Sequence, residues 1–322
     1  MTRRPFLIAV VVLGIGLAAA PAIFQMFSRA PKGGEMLDEF RPFMTAEEIA
    51  QFRGFLDDIG AAEQETAATV RPALEEQLGG GDEVDGAYPN LTALHERWPV
   101  VIDDMGEMLD TMETNLDNFA AVDALPPFPL FPWFFVAPGV IAVALGILSL
   151  RPNASRRWLA AIAFLGVGLI AAPAVFQMFS RAPKGGDMIN DFRSMMRAEK
   201  VMTVQGYFLT IGAAEGDLRR HALPQLQQSS DAPATPAIDS FIADWPHISN
   251  RMAPMIGAMA DNLDNYAAVD ALPPFPLFPW FFVAPGVLLI ALAGLATRNP
   301  GPQDRLISMP TTPTPARERT PT

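Results

Sequence analysis

Cysteine is absent from this chain of 322 residues, and histidine occurs only three times. Without cysteine there are no disulfide bonds, thiolate metal sites or cysteine nucleophiles. His95, His221 and His247 stand apart from one another, so the sequence indicates neither a metal cluster nor a Ser-His-Asp centre. A phosphate-binding G-x-x-x-x-G-K-[ST] loop is also missing. The sequence therefore predicts a protein that is not an enzyme, with no cofactor, no metal site and no catalytic residue.

Charge is absent from four long apolar windows, although the chain as a whole carries a net charge of −12. A helix of about 20 residues spans the hydrocarbon core of a bilayer, which is about 30 Å thick. The windows therefore predict four transmembrane (TM) helices, at 5–24, 131–150, 158–176 and 278–297. None of them contains an ionisable residue, which argues against a coupled ion or proton pathway. Small residues pair at Gly14/Ala18, Gly16/Ala20 and Gly168/Ala172, a spacing that permits close helix packing.

The short segments outside these windows are basic, whereas the two long loops hold every acidic residue except Asp304 and Glu318. The positive-inside rule then places both termini and the 151–157 loop in the cytoplasm, and the long loops outside. We expect a multi-pass protein of the plasma membrane, with the lipid bilayer as a partner. The acidic loops exclude nucleic acid as an outside partner. They suit a solvated domain, with binding of a cation or a basic partner as the alternative.

The first apolar window has a second interpretation, because Ala20-Pro21-Ala22 resembles a signal-peptidase site. The segment LGIGLAAAPAIF at 13–24 nevertheless recurs as LGVGLIAAPAVF at 165–176, where a signal peptide is impossible. We therefore expect an uncleaved anchor.

An internal repeat organises the chain. FQMFSRAPKGG occurs at 24–34 and 176–186, and DALPPFPLFPWFFVAPG at 123–139 and 270–286. The repeats predict a tandem duplication of a TM helix, an extracytoplasmic helical domain and a second TM helix, in an all-α membrane protein. The expected domains are a first repeat unit at 1–150 with its outer domain at 25–130, a cytoplasmic loop at 151–157, a second unit at 158–297 with its outer domain at 177–277, and a disordered cytoplasmic tail at 298–322.

Each outer domain is predicted to be a helical hairpin or small bundle. Thr45 and Glu48 form a capping box before an apolar stripe of helical spacing. A returning helix is expected to begin near Trp98, after a loop at 79–90, and it carries methionines three or four residues apart. Such a stripe is either packed core or a soft binding groove.

Polar residues recur beside the predicted membrane segments and are the best candidate site residues. They are Arg29, Lys32, Asp117 and Asp123, with Arg181, Lys184, Asp264 and Asp270 at the matching positions. We call these eight residues the collar, and we expect salt bridges within it, from Arg29 or Lys32 to Asp117 or Asp123. The alternative is that the basic residues hold anionic lipid head groups.

The repeated segment DALPPFPLFPWFFVAPG is a proline-aromatic run. It predicts a stiff joint of polyproline type at the membrane surface, with Trp133 in the first turn of the next TM helix. Aromatic side chains collect at membrane interfaces. The expected interface anchors are Phe128, Phe131, Trp133, Phe275, Phe278 and Trp280.

The segments FQMFSRAPKGGEMLDEFRPFM and LPPFPLFPWFFVAPG resemble parts of uncharacterised integral membrane proteins of high-GC Gram-positive bacteria. The resemblance covers these segments and their adjoining helices, and the doubling of the unit departs from it. It implies a location in the cell envelope and no particular activity.

Two functions remain as hypotheses. In the first, the outer domains scaffold or assist another envelope membrane protein, or bind lipid. In the second, the protein is a ligand sensor or is transporter-like, with a methionine-lined groove. The oligomeric state is not predicted. The tail is expected to have no specific function by default. Three of its threonines precede prolines and are candidate phosphorylation sites: Thr312, Thr314 and Thr320.

Overall fold

The computed structural model describes residues 3–151, 154–229 and 232–298, and over these ranges the chain is helical and contains no strand. The predicted tail and its threonines lie outside the described residues, apart from Arg298. The helices are α1 (Arg4–Ile23), α2 (Met26–Phe40), α3 (Ala46–Glu65), α4 (Arg71–Leu78), α5 (Gly81–Ala87), α6 (Pro89–Thr114), α7 (Leu116–Asp123), α8 (Trp133–Leu150), α9 (Arg157–Val175), α10 (Met178–Phe192), α11 (Ala198–Asp217), α12 (Leu223–Leu226), α13 (Pro236–Asp261), α14 (Leu263–Asp270) and α15 (Trp280–Arg298).

Helices α1, α8, α9 and α15 are long and apolar enough to cross a membrane. Their bounds agree within two residues with the four charge-free windows of the sequence. The chain divides into two compact units. The apolar unit comprises the described residues of 1–27, 130–179 and 277–322, and the loop unit comprises 28–129 and 180–276. Both long loops therefore contribute to one compact unit.

The apolar unit is held by close contacts of small residues and aromatic rings. Gly14 and Ala18 of α1 lie directly against Gly139 of α8, in the same half of the chain. A Cβ added at Gly16 would have no neighbouring helix within 4 Å in the described chain. The rings of Phe135 and Phe282, which occupy equivalent positions of the two halves, lie 4.7 Å apart between centroids. The Gly14/Ala18 pair therefore forms a helix contact, whereas Gly16 of the overlapping pair meets no other described helix.

The loop unit packs the four longest loop helices side by side. Helix α3 lies against α6 of its own half and α13 of the other, and α11 lies against α13 and α6 in the same way. The Thr45 side chain accepts a hydrogen bond of 3.1 Å from the Glu48 backbone N–H, as the capping box predicts. The buried face of α3 includes Ile49, Phe52 and Ile59. Apolar stripes on all four helices thus bury one another.

Two details of the prediction are wrong. The returning helix begins at Pro89 rather than near Trp98, and Pro99 lies inside it. It continues through the proline because apolar residues are buried on both sides, Leu94 before it and Val101 after it. The predicted 79–90 loop contains α5, which buries Val84.

The proline-aromatic run also differs from the polyproline joint that we expected. A turn of 3₁₀ helix covers Phe128–Leu130, and α8 follows from Trp133. Phe128 is buried in the loop unit and Phe131 in the apolar unit.

Candidate functional site

A cavity in the loop unit is lined by equivalent segments of both halves. The helical spacing of α6 turns Met108 and Met112 towards it, and α13 contributes Met255 and Met259 at the matching positions. Helices α2 and α10 and the residues that follow them supply most of the remaining lining. The cavity therefore exists because the two halves pack together, and no single loop forms it.

The lining of this cavity is unusually rich in methionine. Nine of the chain's 16 methionines line it, and its volume is about 60 Å³. At 10–15 Å³ for each water-sized group, this is room for about four to six such groups. The lining methionines are Met36, Met44, Met108, Met112, Met188, Met195, Met196, Met255 and Met259. Thioether side chains are flexible and polarisable, so the cavity can adapt its shape to an occupant.

The remaining lining is aliphatic or aromatic, and its one polar group already has a hydrogen-bond partner. The Tyr266 hydroxyl donates a hydrogen bond to the Ile189 backbone carbonyl. Burial is the main cause that raises the pKa of Tyr266 above its ordinary value. Phe119 occupies the equivalent position in the first half. Since no other polar side chain of the described residues lines it, the cavity suits a hydrocarbon group rather than an ion or a sugar.

The predicted collar residues make contacts that differ from the expected pairs. Asp123 pairs with Arg41 at 2.6 Å, and Asp270 pairs with Arg193 at 2.6 Å. Arg29 donates to the Ala271 backbone carbonyl of the other half at 2.7 Å. Arg181 donates in the same way to the Ala124 carbonyl at 2.7 Å. These two arginines tie the halves together through the backbone.

The other four predicted collar residues make no ion pair with any residue that the structure describes. They are Lys32, Lys184, Asp117 and Asp264. The two lysines are half-buried and the two aspartates are exposed. The expected salt bridges of these four residues are therefore not present within the described ranges.

The predicted aromatic anchors fall into two groups. Phe131 and Phe278 are buried and face each other edge-on, with ring centroids 6.0 Å apart. Trp133 and Trp280 are each 56% exposed. Phe128 is buried, and Phe275 packs against the apolar cluster around Tyr266.

Two ion pairs between the halves were not predicted from the sequence. Glu48 of α3 pairs with Arg251 of α13, and Lys200 of α11 pairs with Asp104 of α6 at 2.7 Å. The signal for them was present, because aligned positions of the two halves carry opposite charges. Within the described ranges there is no group of three or more His, Cys, Asp or Glu side chains that could hold a metal ion.

Asp104 also predicts how the loop unit responds to acid. Partial burial acts to raise the pKa of Asp104, but hydrogen bonds from Lys200 and Tyr207 outweigh it and hold this pKa below its ordinary value. Burial and the Asp104 carboxylate raise the pKa of Tyr207 to about 12. A depressed carboxyl pKa stabilises the fold above the unfolded-state value of 3.8, and this contribution is lost as the pH falls through the folded-state pKa.

We therefore expect Asp104→Asn to lower the free energy of unfolding by about 1 kcal/mol at pH 7 and by less below about pH 3. The measurement is thermal unfolding of the full-length protein in mild detergent over a series of pH values. Asp103→Asn is the control, because Asp103 is exposed and makes no ion pair with a described residue. A difference between Asp104→Asn and wild type that stays constant down to about pH 3 would contradict the assignment.

The comparisons with known proteins give no relative: no protein-family model, curated protein or solved structure matches this chain.

Proposed function

We propose that this chain is a non-enzymatic, multi-pass membrane protein, built by tandem duplication, whose loop unit binds a lipid hydrocarbon chain in the methionine-lined cavity. The observation that carries the proposal is the cavity itself, whose described lining has nine methionines and one polar group, already hydrogen-bonded. The proposal joins the lipid-binding and groove hypotheses of the sequence in one site.

Three features support the membrane part of the proposal. Four helices are long and apolar enough to cross a bilayer. The basic short segments favour cytoplasmic termini, so the loop unit lies on the outer face. Trp133 and Trp280 are exposed next to apolar helices, where they suit the bilayer interface. A protein in this location meets lipid as its most abundant apolar ligand.

The duplication is supported by contacts that obey the same symmetry as the repeated sequence. Asn115 donates to Asp191 of the other half at 3.0 Å, and Asn262 donates to Glu39. These two contacts, like those of Arg29 and Arg181, interchange when the halves are interchanged. Two equivalent halves then line one cavity, to which each contributes the same segments.

The chemistry of the cavity determines which part of a lipid would bind. A charged head group would be left without a hydrogen-bond partner, at a cost of several kcal/mol. A hydrocarbon chain loses no hydrogen bonds and gains about 0.8 kcal/mol for each buried methylene group. The volume accommodates the end of one chain, and rearrangement of the flexible thioethers would admit more of it.

The test uses the full-length protein in amphipol with ¹³C-methyl-labelled methionine and palmitate as the probe. We expect palmitate to shift the NMR signals of the nine lining methionines and to leave the signal of Met202, which is 62% exposed, unchanged. Met112→Phe/Met259→Phe, which fills the cavity, should weaken binding at least about tenfold, a change of 1.4 kcal/mol. Met112→Leu/Met259→Leu conserves volume and should bind as the wild type does.

Met202→Phe is the control for the added aromatic ring, and thermal unfolding establishes that each variant is folded. Mass spectrometry of co-purifying lipids distinguishes a free fatty acid from a phospholipid chain. Two results would overturn the proposal: equal affinity of the wild type and the filled variant for palmitate, or unchanged NMR signals of the lining methionines. Either result would leave the scaffold hypothesis. In that hypothesis the loop unit contacts another envelope membrane protein.

A further inference from the structure

The two ion pairs between the halves occupy equivalent places and have opposite polarity. Position 48 of α3 corresponds to position 200 of α11, and position 104 of α6 corresponds to position 251 of α13. The first half carries an acid at both positions, Glu48 and Asp104. The second half carries a base at both, Lys200 and Arg251. Each pair therefore joins an acid of the first half to a base of the second.

These charges lie where their sign has energetic weight. Glu48 is buried, and its second carboxylate oxygen has no hydrogen-bond partner in the described chain. The side chains of Asp104 and Lys200 are only 20% and 27% exposed. Screening by water is weak at such positions, so a like-charge contact there is more costly than at an open surface.

Four other hydrogen bonds between the halves would not distinguish one half from the other. Arg29 and Arg181 are identical residues that donate to equivalent backbone carbonyls. Asn115 and Asn262 are identical residues, and their acceptors Asp191 and Glu39 are both carboxylates. A half that met a second copy of itself in the same geometry would therefore keep these hydrogen bonds.

The ion pairs would not survive in such an arrangement. If two first halves paired, Glu48 would face Asp104 of the other copy. If two second halves paired, Lys200 would face Arg251. The first arrangement places like charges at a buried and a partly buried position, and the second places the partly buried Lys200 against the more exposed Arg251. Such like-charge contacts are a common device for rejecting a wrong partner.

We propose that the inverted ion pairs make each half select the unlike half and reject a second copy of itself. The surface that α3 and α6 present thus fits the second half of the same chain and disfavours the first half of a neighbouring chain. This inference concerns the pairing of the halves and does not depend on what the cavity binds.

The test exchanges charges within the full-length chain without changing its net charge. In Glu48→Lys/Lys200→Glu, both contacts within one chain become repulsive, whereas pairing between like halves of two chains becomes attractive. In Glu48→Lys/Asp104→Arg/Lys200→Glu/Arg251→Asp, the polarity of both pairs is inverted, so unlike halves attract again. Both variants keep the wild-type net charge, and the second is the matched control for the first.

For the double variant in mild detergent, we expect a melting temperature lower by about 5 °C, or two chains per particle by native mass spectrometry. The quadruple variant should recover both the melting temperature and the particle mass of the wild type. A double variant with the wild-type melting temperature and mass would overturn the proposal. A quadruple variant that recovers neither property would do the same.

Discussion

Gly139→Val is expected to lower the free energy of unfolding of the apolar unit by about 3 kcal/mol, the upper range for overpacking a tight contact. A Cβ at this position would lie 2.6 Å from the Ala18 backbone nitrogen and 2.8 Å from the Gly14 carbonyl oxygen. These neighbours are backbone atoms of α1, so rotation of a side chain cannot relieve the clash. Helices α1 and α8 must separate, and their close packing is lost over several turns.

The control for this prediction is Gly16→Val. Gly16 lies on the same helix as Gly14, yet a Cβ added there meets no neighbouring helix of the described chain within 4 Å. Its free energy of unfolding should remain within about 0.5 kcal/mol of the wild-type value. Circular dichroism during thermal unfolding in mild detergent measures both variants. Similar losses in the two variants would show that glycine matters for helix flexibility and not for the α1–α8 contact.

Asn262→Asp is expected to destabilise the loop unit by about 3–5 kcal/mol at neutral pH, as a buried charge without a counter-ion does. The Asn262 side chain is fully buried, and its amide donates to Glu39 and, at 2.9 Å, to the Ala258 carbonyl. The aspartate has nearly the same shape but places a carboxylate against a carboxylate and leaves the Ala258 carbonyl without this donor. Shape alone therefore cannot rescue the variant.

A second substitution makes this prediction specific to the contact between the halves. Glu39→Gln in the Asn262→Asp background supplies an amide donor to the new carboxylate and should restore part of the lost stability. Acidification to about pH 4 should also recover part of the loss in the single variant, because protonation removes the buried charge. Thermal unfolding at neutral and acidic pH measures both effects. The absence of any recovery in the double variant would show that Glu39 does not face Asn262.

Local features of the fold could be predicted from the sequence because their causes lie within one or two helical turns. Each of the four apolar windows corresponds to a helix, and the helix begins and ends within two residues of the bounds of its window. The capping box at Thr45 appears as a hydrogen bond to the Glu48 backbone. The α6 methionines lie on one buried face, as their spacing of three or four residues requires.

Partners across the fold could not be predicted in the same way. Periodicity defines which face of a helix is buried, but many other faces are equally apolar, and only packing selects among them. Gly14 and Gly16 are both small-residue candidates, yet only Gly14 of the two meets a neighbouring helix within the described ranges. Arg29 reaches a backbone carbonyl of the other half, whereas the sequence suggested a carboxylate of its own half.

The sequence by itself determined the helical class, the apolar segments, the repetition of the proline-aromatic run and the concentration of methionine in the loops. The tertiary structure decided that both loops form one unit, that their methionines line one cavity, and that the two ion pairs run from acid in one half to base in the other. The physical reason is the distance along the chain between the residues that interact. Secondary structure follows from interactions between neighbours in the chain, whereas the cavity and the ion pairs join residues that lie far apart along it.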